Sequence, residues 1–332
     1  MLQTSAGPLA QDYDLIMLDL DGVVYIDGRA VPGAPENLAD VRAAGGRMAF
    51  ITNNASRDTA TVAAHLNDLG IPADAQDVVS SAQAAARLLR SQHAEGARVA
   101  VLGAESLRST VAEAGLTPVS VQDDAVALVT GYGPDVPWRE VMQAAVRVAA
   151  GLAWTATNTD LSINTSQGKA PGHGVMVDMI SRFTGATAQV AGKPARPLFD
   201  ETVLRTGATH PLMVGDRLDT DIDGARAAGF DALLVLTGVT GLPELVSAPP
   251  DLRPTHISRD LHGLNQAHPA PDVAPDGTST CGGWTATAVD GRLRLSGDGA
   301  ADDWWRAAAT ASWAWLDSTG QPVDVAEIHS TP

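Results

Sequence analysis

Two aspartates two residues apart are the first feature of this sequence that could do chemistry. Asp19 and Asp21 follow the apolar run of residues 15–18. In an extended chain, residues two apart point to the same side, so both carboxylates face the same space. Two like charges this close are costly without a cation, and Mg²⁺ prefers carboxylate and phosphate oxygens. The pair therefore predicts a magnesium site that handles phosphate, although Asp21-Gly22 is also a common turn sequence.

A second polar segment, Thr52-Asn53-Asn54, follows the apolar run of residues 48–51. The Thr52 hydroxyl and the backbone N–H groups after it could hold phosphate oxygens at the start of a helix. The alternative is that these side chains only cap the next helix, and this segment alone favours capping.

Lys193, Asp216 and Asp221 complete the set of candidate residues. Lys193 lies between Gly192 and Pro194 and could neutralise phosphate and hold a nucleophilic carboxylate, or be an ordinary surface lysine. Asp216 follows the apolar run of residues 212–214 and could supply another metal oxygen. Asp221 could support the waters of the metal or Lys193, or both acids could simply stabilise a helix N-terminus.

Short apolar runs alternate with segments of helical spacing along the first 265 residues or so. Such alternation predicts an α/β fold with a mainly parallel sheet. The strands are predicted near residues 14–19, 48–51, 99–102, 125–129, 154–156, 212–214 and 231–236. All four polar segments fall at strand ends or in the turns that follow, where ligands bind in open α/β sheets.

The composition changes after Leu264. Three prolines among residues 269–275 indicate a linker. Beyond it, a hairpin is predicted at residues 284–289 and 292–295, a helix at 303–316 and a last strand at 323–328. This tail, which carries five of the seven tryptophans, is therefore predicted to fold.

Charge and composition exclude several classes of function. Lys and Arg number 22 and Asp and Glu 39, so the net charge is −17, a field that repels nucleic acid and anionic membranes. Cys281 is the one cysteine, so no intramolecular disulfide is expected. No basic, apolar leader precedes Asp12 and no apolar run reaches transmembrane length, so the expected compartment is the cytoplasm.

Taken in order, the four polar segments resemble the four motifs of the haloacid dehalogenase superfamily of phosphatases. The narrower likeness is to nitrophenyl phosphatases, the ribonucleotide phosphatase NagD and pyridoxal phosphatase, which insert a large α/β cap of the C2 type between the second and third motifs. The resemblance implies an α/β chain with a Rossmann-like catalytic core and parallel sheet, an α/β cap and a small C-terminal α+β region. The expected bounds are 1–79 and 190–265 for the core, 80–189 for the cap, 266–278 for the linker and 279–332 for the tail.

The same resemblance implies roles for the motif residues. Asp19 would attack phosphorus and form an aspartyl-phosphate, while Asp21 would first protonate the leaving oxygen and later activate water. The phosphoryl group would be held by Thr52, Asn53, Asn54 and Lys193. Mg²⁺ would be bound by Asp19, the main-chain carbonyl of Asp21 and Asp216, with Asp221 supporting them.

The residues that would select the substrate are expected in the cap. Asn158, Asp160 and residues 168–174 resemble the specificity loop of that subgroup, with His173 where another polar residue, often Asn, is expected. The full chain, with its Trp-rich tail, further resembles actinobacterial glycerol-3-phosphate phosphatases, which implies glycerol 3-phosphate or a similar small phosphorylated metabolite as substrate. The tail itself is interpreted as a structural or dimerising appendage. Phosphoglycolate, pyridoxal phosphate and a nucleotide monophosphate remain alternatives, as does a phosphometabolite sensor or structural protein with little turnover. Dimers through the cap occur in similar proteins, so a homodimer is compatible with the sequence.

Overall fold

The computed structural model describes residues 2–165 and 168–328, apart from the side chain of Asn164. Its contacts divide the chain into two compact units. The first unit comprises Met1–Met48 and Ala208–Pro332, and the second comprises Ala49–Gly207. The core, cap and tail boundaries expected from the sequence remain predictions.

The elements of the described residues are listed here in chain order. The α-helices are α1 (Ala34–Ala43), α2 (Thr59–Asp68), α3 (Ser81–Gln92), α4 (Glu105–Glu113), α5 (Trp138–Ala149), α6 (His173–Thr184), α7 (Pro197–Thr206), α8 (Asp223–Ala228), α9 (Leu242–Val246) and α10 (Ala301–Thr319). The strands are β1 (Leu15–Leu18), β2 (Tyr25–Ile26), β3 (Arg29–Ala30), β4 (Met48–Thr52), β5 (Val78–Ser80), β6 (Arg98–Leu102), β7 (Thr117–Val119), β8 (Ala127–Thr130), β9 (Ala153–Ala156), β10 (Ser162–Thr165), β11 (Gly168–Pro171), β12 (Gln189–Val190), β13 (Pro211–Gly215), β14 (Asp231–Val235), β15 (His256–Ser258), β16 (Asp272–Val273), β17 (Ser279–Cys281), β18 (Trp284–Val289) and β19 (Arg292–Gly297).

Parallel strands form the centre of the first unit. β1 pairs with β13, β13 with β14, and β14 with β15, all in parallel. Every residue of β1 and β13 is buried, as expected for strands covered on both faces. The α/β fold class with parallel sheets is confirmed. The ladder brings Leu18 level with Val214, so the two chains leave the sheet side by side.

The tail of the first unit folds as an antiparallel sheet and a long helix. β16, β17, β18 and β19 pair in that order, and the β18–β19 turn has Asp290 and Gly291 at φ 52° and 75°. Positive φ at both positions is typical of the type I′ turn of a two-residue hairpin, and the two strands pair antiparallel, so this predicted hairpin is confirmed.

The predicted last strand at residues 323–328 is wrong. Asp324 alone bridges to Arg292. The Asp324 carboxylate then accepts the N–H of Ala326 at 2.9 Å, and the N–H of Ile328 returns to the carbonyl of Val325 at 2.9 Å. These local bonds turn the chain away from the sheet after a single paired residue.

Helix α10 fastens the tail to the parallel strands of the first unit. It contacts β17, β18 and β19 as well as β15 and α9. The indole N–H of Trp313 donates to the carbonyl of Leu245 at 2.8 Å, and Arg306 Nε donates to the carbonyl of Ile257 at 3.1 Å. The helix is therefore buried on more than the single apolar face that its sequence predicts.

The second unit contains a parallel sheet with helices packed on it. The strand order is β12-β9-β8-β6-β7, and β4 pairs with β5 in parallel elsewhere in the unit. Helices α5 and α6 contact each other and bury Val141, Val148, Val177 and Ile180 in a shared core. Strands β10 and β11 form an antiparallel hairpin beside α6. Among the described residues no helix combines the length and apolarity needed to cross a bilayer.

Candidate active site

Three aspartates of the first unit converge at the carboxyl ends of β1 and β13. Asp19, Asp216 and Asp221 each offer a carboxylate oxygen, and these oxygens all lie within 4.8 Å of one another. The N–H of Asp19 donates to the carbonyl of Val214 at 2.9 Å, which extends the β1–β13 ladder to the first acid. The predicted acidic cluster is therefore present within this unit.

Burial raises the electrostatic free-energy cost of bringing these carboxylates together. Asp216 and Asp221 are 0% and 1% exposed, whereas Asp19 is half-buried. Like charges at such separations oppose each other, and removing carboxylates from water adds a cost of several kcal/mol per ion. A divalent cation offsets both costs, and a set of donors made only of oxygen suits Mg²⁺.

Glycines leave the space that the buried acids occupy. A Cβ added at Gly22 would lie 2.6 Å from Asp216 Oδ2, and one added at Gly238 would overlap the same carboxylate. A Cβ at Gly215 would overlap the side chain of Asp221. Contacts this short are sterically forbidden, so the carboxylates of Asp216 and Asp221 fit only because Gly22, Gly215 and Gly238 have no side chains. We call these three glycines the glycine cradle. The space they leave fits a compact set of carboxylates around a small cation.

Backbone groups after β14 hold Asp216 in place. The N–H of Val239 donates to Asp216 Oδ2 at 2.6 Å, and the N–H of Thr240 donates to the carbonyl of Asp216 at 3.1 Å. The Thr237 hydroxyl donates to the carbonyl of Gly22. Sequence reasoning missed residues 237–240, although their position after an apolar parallel strand was an available signal.

Asp221 is oriented by the turn that follows Asp216. Residues Leu218–Ile222 form a π-helical turn. The N–H of Arg217 donates to Asp221 Oδ2 at 3.1 Å. On the outside of the turn, Arg217 makes two hydrogen bonds to the exposed carboxylate of Asp219, at 3.0 and 2.7 Å. The turn therefore directs Asp221 inward and Asp219 outward.

Asp21 continues the alternation that its spacing predicts. Leu20, which lies between the two acids, is fully buried, while Asp19 is half-buried and Asp21 exposed. Asp21 bridges to Tyr25, and the N–H of Gly22 donates to the carbonyl of Tyr25 at 2.9 Å. Asp21 is thus the exposed acid of the pair.

Asn53 and Lys193 are joined reciprocally in the second unit. The N–H of Lys193 donates to Asn53 Oδ1 at 2.8 Å, and Asn53 Nδ2 donates to the carbonyl of Lys193 at 3.0 Å. A Cβ at Gly192 would lie 2.5 Å from Asn53 Oδ1, so only glycine permits this approach. Lys193 is 2% exposed, which rules out the ordinary surface lysine.

Thr52 and Asn54 shape the turn around Asn53. The Thr52 hydroxyl oxygen accepts the N–H of Asn54 at 3.1 Å, and Asn54 Oδ1 accepts the N–H and the hydroxyl of Ser56, both at 2.8 Å. The N-cap of α2 is Asp58, whose carboxylate accepts the N–H of Thr61 at 2.6 Å. Neither Thr52 nor Asn54 is therefore the helix cap.

Asn158 and Asp160, from the loop between β9 and β10, form hydrogen bonds with Asn53. Asn158 Nδ2 donates to the carbonyl of Asn53 at 2.7 Å, and that carbonyl also accepts the hydroxyl of Ser81 at 2.6 Å. Asn53 Nδ2 donates to Asp160 Oδ1 at 3.2 Å, and the N–H of Asp160 donates to Asn158 Oδ1 at 3.1 Å. We call Asn53, Asn158, Asp160 and Lys193 the amide cluster.

His173 stands next to the amide cluster as the first residue of α6. The residue is 3% exposed, and Nδ1 of its ring lies 2.9 Å from the carbonyl of Asn158, while Nε2 lies 3.1 Å from the hydroxyl oxygen of Thr130. Burial lowers the pKa of His173 to about 4, so the ring is neutral at physiological pH.

Comparisons with known proteins agree with this geometry. Family models described as haloacid dehalogenase-like hydrolase and HAD-hydrolase-like match residues 16–117 and 190–264. The D-glycerol 3-phosphate phosphatase of Mycobacterium tuberculosis is 43% identical over 296 residues, which cover 89% of this chain and 82% of that protein. The acid sugar phosphatase of Staphylococcus haemolyticus is 31% identical, covering 76% of this chain and 95% of the relative.

Solved structures show the same likeness. The crystal structure of the glycerol phosphate phosphatase of Mycobacterium tuberculosis in complex with magnesium matches with a TM-score of 0.86 and 41% identity, covering 96% of this chain and 94% of that one. The 4-nitrophenylphosphatase of Thermotoga maritima matches with a TM-score of 0.72 and 26% identity, covering 77% of this chain and 98% of that one.

The fold, the acidic cluster and these relatives define the class of protein. The chain belongs to the haloacid dehalogenase-like hydrolases, and within them to the phosphatases. Of the relatives described above, the glycerol phosphate phosphatase of Mycobacterium tuberculosis matches nearly the whole chain, whereas the nitrophenylphosphatase matches about three quarters of it.

Proposed function

We propose that this protein is a magnesium-dependent phosphomonoesterase whose preferred substrate is glycerol 3-phosphate. The observation that carries the proposal is the cluster of Asp19, Asp216 and Asp221, whose carboxylate oxygens lie within 4.8 Å of one another. When bound there, Mg²⁺ would neutralise phosphate oxygens and lower the repulsion between an anionic substrate and an anionic nucleophile. Asp19, Asp216 and the main-chain carbonyl of Asp21 would hold the ion, with Asp221 supporting them.

In the proposed reaction, the first unit supplies the groups that make and break bonds. A carboxylate oxygen of Asp19 attacks phosphorus, the ester P–O bond breaks, and the leaving alcohol oxygen takes a proton from Asp21. Asp21, now a carboxylate, removes a proton from water, which attacks phosphorus and releases inorganic phosphate from Asp19. Covalent catalysis divides one difficult step into two easier ones, and the exposure of Asp21 suits repeated proton exchange.

In the same proposal, the second unit supplies groups that bind the phosphoryl oxygens and select the leaving group. Lys193 brings positive charge to the substrate in a protein whose net charge is −17. Thr52, Asn53 and Asn54 provide neutral hydrogen-bonding groups for the phosphoryl oxygens. Asp160 accepts a hydrogen bond from Asn53 and is our candidate for contact with the substrate hydroxyls.

The choice of glycerol 3-phosphate is supported by how far the likeness extends. The match to the glycerol phosphate phosphatase covers 96% of this chain, so it includes most of the tail built from β16–β19 and α10. The 4-nitrophenylphosphatase, which covers 77%, is matched over nearly all of its own length. A shared tail favours a shared substrate over phosphoglycolate, pyridoxal phosphate or a nucleotide monophosphate.

The test is phosphate release from these three alternative substrates and from glycerol 3-phosphate at a fixed Mg²⁺ concentration. We expect the highest kcat/KM for glycerol 3-phosphate. The variant Asp160→Ala should lower kcat/KM for glycerol 3-phosphate by a larger factor than kcat/KM for the poorest substrate, so that the preference among substrates narrows. A higher kcat/KM for any of the other phosphates would refute the substrate assignment and leave the phosphatase activity intact.

We also propose that the chain forms a homodimer through α5. Trp138, Met142 and Val146 are 61%, 50% and 60% exposed and lie four residues apart, so they form one apolar stripe. In light scattering, Trp138→Glu should shift the protein towards the monomer, whereas Leu204→Glu, at an exposed leucine of α7, should not. An unchanged mass for Trp138→Glu would argue against this interface.

The proposed setting is the cytoplasm, without a nucleic-acid or membrane partner. The net charge of −17 opposes binding to polyanions, and this expectation is checked by cell fractionation and by retention on immobilised nucleic acid.

A further inference from the structure

His173 connects the core of the second unit to the amide cluster, and the inference drawn from it rests on the proposed phosphatase function. Its ring is buried at the start of α6, and both ring nitrogens are bonded to the chain. Nδ1 faces the main-chain carbonyl of Asn158, which can only accept a hydrogen bond. Nδ1 therefore carries the proton of the neutral ring, and Nε2 is an acceptor.

The partner of Nε2 fixes the other end of this arrangement. The hydroxyl of Thr130, on β8, lies 3.1 Å from Nε2 and also accepts the indole N–H of Trp154 at 3.0 Å. An indole nitrogen can only donate, so the hydroxyl proton of Thr130 is available for His173. The order Trp154 to Thr130 to His173 to Asn158 therefore satisfies every donor and acceptor with one tautomer.

Asn158 passes this constraint to the residues proposed to bind phosphate. Its main-chain carbonyl is held by His173, and its side chain donates to the carbonyl of Asn53 and accepts from the N–H of Asp160. Asn53 in turn bonds both the N–H and the carbonyl of Lys193. A displacement of Asn158 therefore reaches every member of the amide cluster.

We propose that His173 is a positioning residue for phosphate binding, acting through Asn158 on Asn53 and Lys193 rather than by touching the substrate. The sequence assigned His173 to substrate contact. A ring that is buried, with both nitrogens engaged by Asn158 and Thr130, instead orients the loop that carries Asn158 and Asp160. Loss of the His173 ring should therefore weaken binding of the phosphoryl group, which all substrates share.

The two roles give different kinetic results. If His173 positions the amide cluster, His173→Leu lowers kcat/KM by about 10- to 100-fold, the scale expected when binding groups are misplaced, and by the same factor for substrates with different leaving groups. If His173 touches the substrate, the factor depends on the leaving group. Phosphoglycolate and 4-nitrophenyl phosphate are suitable probes because their leaving groups share only the ester oxygen and neither carries a hydroxyl group that Asp160 could contact.

Two further variants separate positioning from general damage to the unit. His173→Asn keeps an N–H donor at the same distance along the side chain as Nδ1, so it should recover kcat/KM to within about threefold of wild type. Ile180→Val removes one methyl from the fully buried side chain of the same helix. It should lower the thermal midpoint with kcat/KM unchanged. Should His173→Leu not fold, Thr130→Val replaces the hydroxyl partner with a side chain of similar shape, and a uniform loss is expected again.

A readout independent of activity completes the test. The N–H of Lys193 donates to Asn53 Oδ1, so its hydrogen exchange should be at least about tenfold faster in His173→Leu and unchanged in Ile180→Val. Wild-type kcat/KM in His173→Leu, a loss that depends on the leaving group, or unchanged exchange at Lys193 would each overturn the inference. A wild type that cleaves no phosphate would instead refute the proposed function, while the exchange measurement would still decide the positioning role.

Discussion

The acidic cluster of the first unit and the amide cluster of the second are built in opposite ways. Asp216 and Asp221 are charged side chains surrounded by glycines and backbone N–H groups. Asn53 and Asn158 have neutral side chains that bond main-chain groups within the cluster. The first arrangement gathers carboxylates of like charge, which a cation would stabilise, whereas the second is held by hydrogen bonds between its own members. Substitutions should therefore act through space and charge in one and through lost hydrogen bonds in the other.

The largest effect should come from filling the space around Asp216. A Cβ at Gly238 overlaps the Asp216 carboxylate, so Gly238→Ala must displace this proposed metal ligand. We expect at least about a 100-fold loss of kcat/KM and a weaker apparent affinity for Mg²⁺, because about 1 Å of misplacement can cost that much. The measurement is phosphate release as a function of Mg²⁺ concentration.

The control for that variant is Gly7→Ala, since a Cβ there meets nothing within 4 Å. It should behave as wild type. Equal Mg²⁺ dependence in Gly238→Ala and wild type would contradict the role of the glycine cradle in leaving space for the Asp216 carboxylate.

A smaller but still large effect is expected in the amide cluster. Asn53→Ala removes the bonds to Asp160 and to both backbone groups of Lys193, and we expect kcat/KM to fall by about 10- to 100-fold at saturating Mg²⁺. The apparent Mg²⁺ affinity should stay near that of wild type. This result would separate the two clusters functionally.

Asn67→Ala is a matched control for Asn53→Ala. Asn67, in α2 of the same unit, also uses its amide to bond backbone groups, at Ala63 and Ala73. Its loss should cost stability but leave kcat/KM unchanged. Similar activity losses in both variants would mean that the effect of Asn53 is structural only.

The first unit should also lose stability in acid because of its buried histidines. Burial lowers the pKa of His268 to about 4 and that of His256 to about 3, from 6.5. Below pH 6.5 the unfolded chain binds protons that the folded chain does not, so folding stability falls as the pH drops towards the folded-state values. At pH 5 the loss should be about 1–2 kcal/mol for each ring.

His268→Gln tests this explanation. His268 Nε2 donates to the carbonyl of Gly263 at 2.8 Å, while Nδ1 accepts from Arg306 at 3.1 Å. The glutamine amide can still donate to that carbonyl but does not titrate. Urea unfolding followed by tryptophan fluorescence should show a smaller difference between pH 7.5 and pH 5 in the variant. An identical difference would exclude His268 as a cause.

The smallest effect should come from an acid that lies beside the acidic cluster but outside it. Asp219 is exposed and bonded to Arg217, so Asp219→Asn should change kcat/KM by less than about twofold and stability by less than about 1 kcal/mol. A loss comparable to that of Asp216→Asn, measured in parallel, would show that the cluster extends further than Asp19, Asp216 and Asp221.

The acidic cluster could be predicted from sequence because Asp19 and Asp216 each directly follow a strand and Asp221 lies in the turn after Asp216. Apolar runs identify β1 and β13, and parallel strands bring Asp19 and Asp216 to one edge. The amide cluster was harder to predict, because its bonds join residues more than 100 positions apart in the chain, such as Asn53 and Lys193. A local sequence pattern shows neither which distant residues are in contact nor how a side chain is oriented. Both pieces of information were needed to infer the positioning role of His173.

The tail shows the same limit. Its hairpin followed from Asp290-Gly291, a local turn signal, and was predicted correctly. The burial of α10 on several faces depended on contacts with β15 and α9, which no local pattern contains. The segment after Val323 was apolar enough for a strand, but Asp324 turned the chain by accepting a bond from Ala326.

The most direct test of the account is phosphate release from glycerol 3-phosphate by wild type and Asp19→Asn, each with Mg²⁺ and with EDTA. The account predicts turnover only by wild type with Mg²⁺, while Asp19→Asn still binds the substrate. Turnover by Asp19→Asn, or undiminished turnover in EDTA, would contradict it. If wild type with Mg²⁺ releases phosphate from none of a broad panel, the protein is instead a binder of phosphorylated metabolites with little turnover.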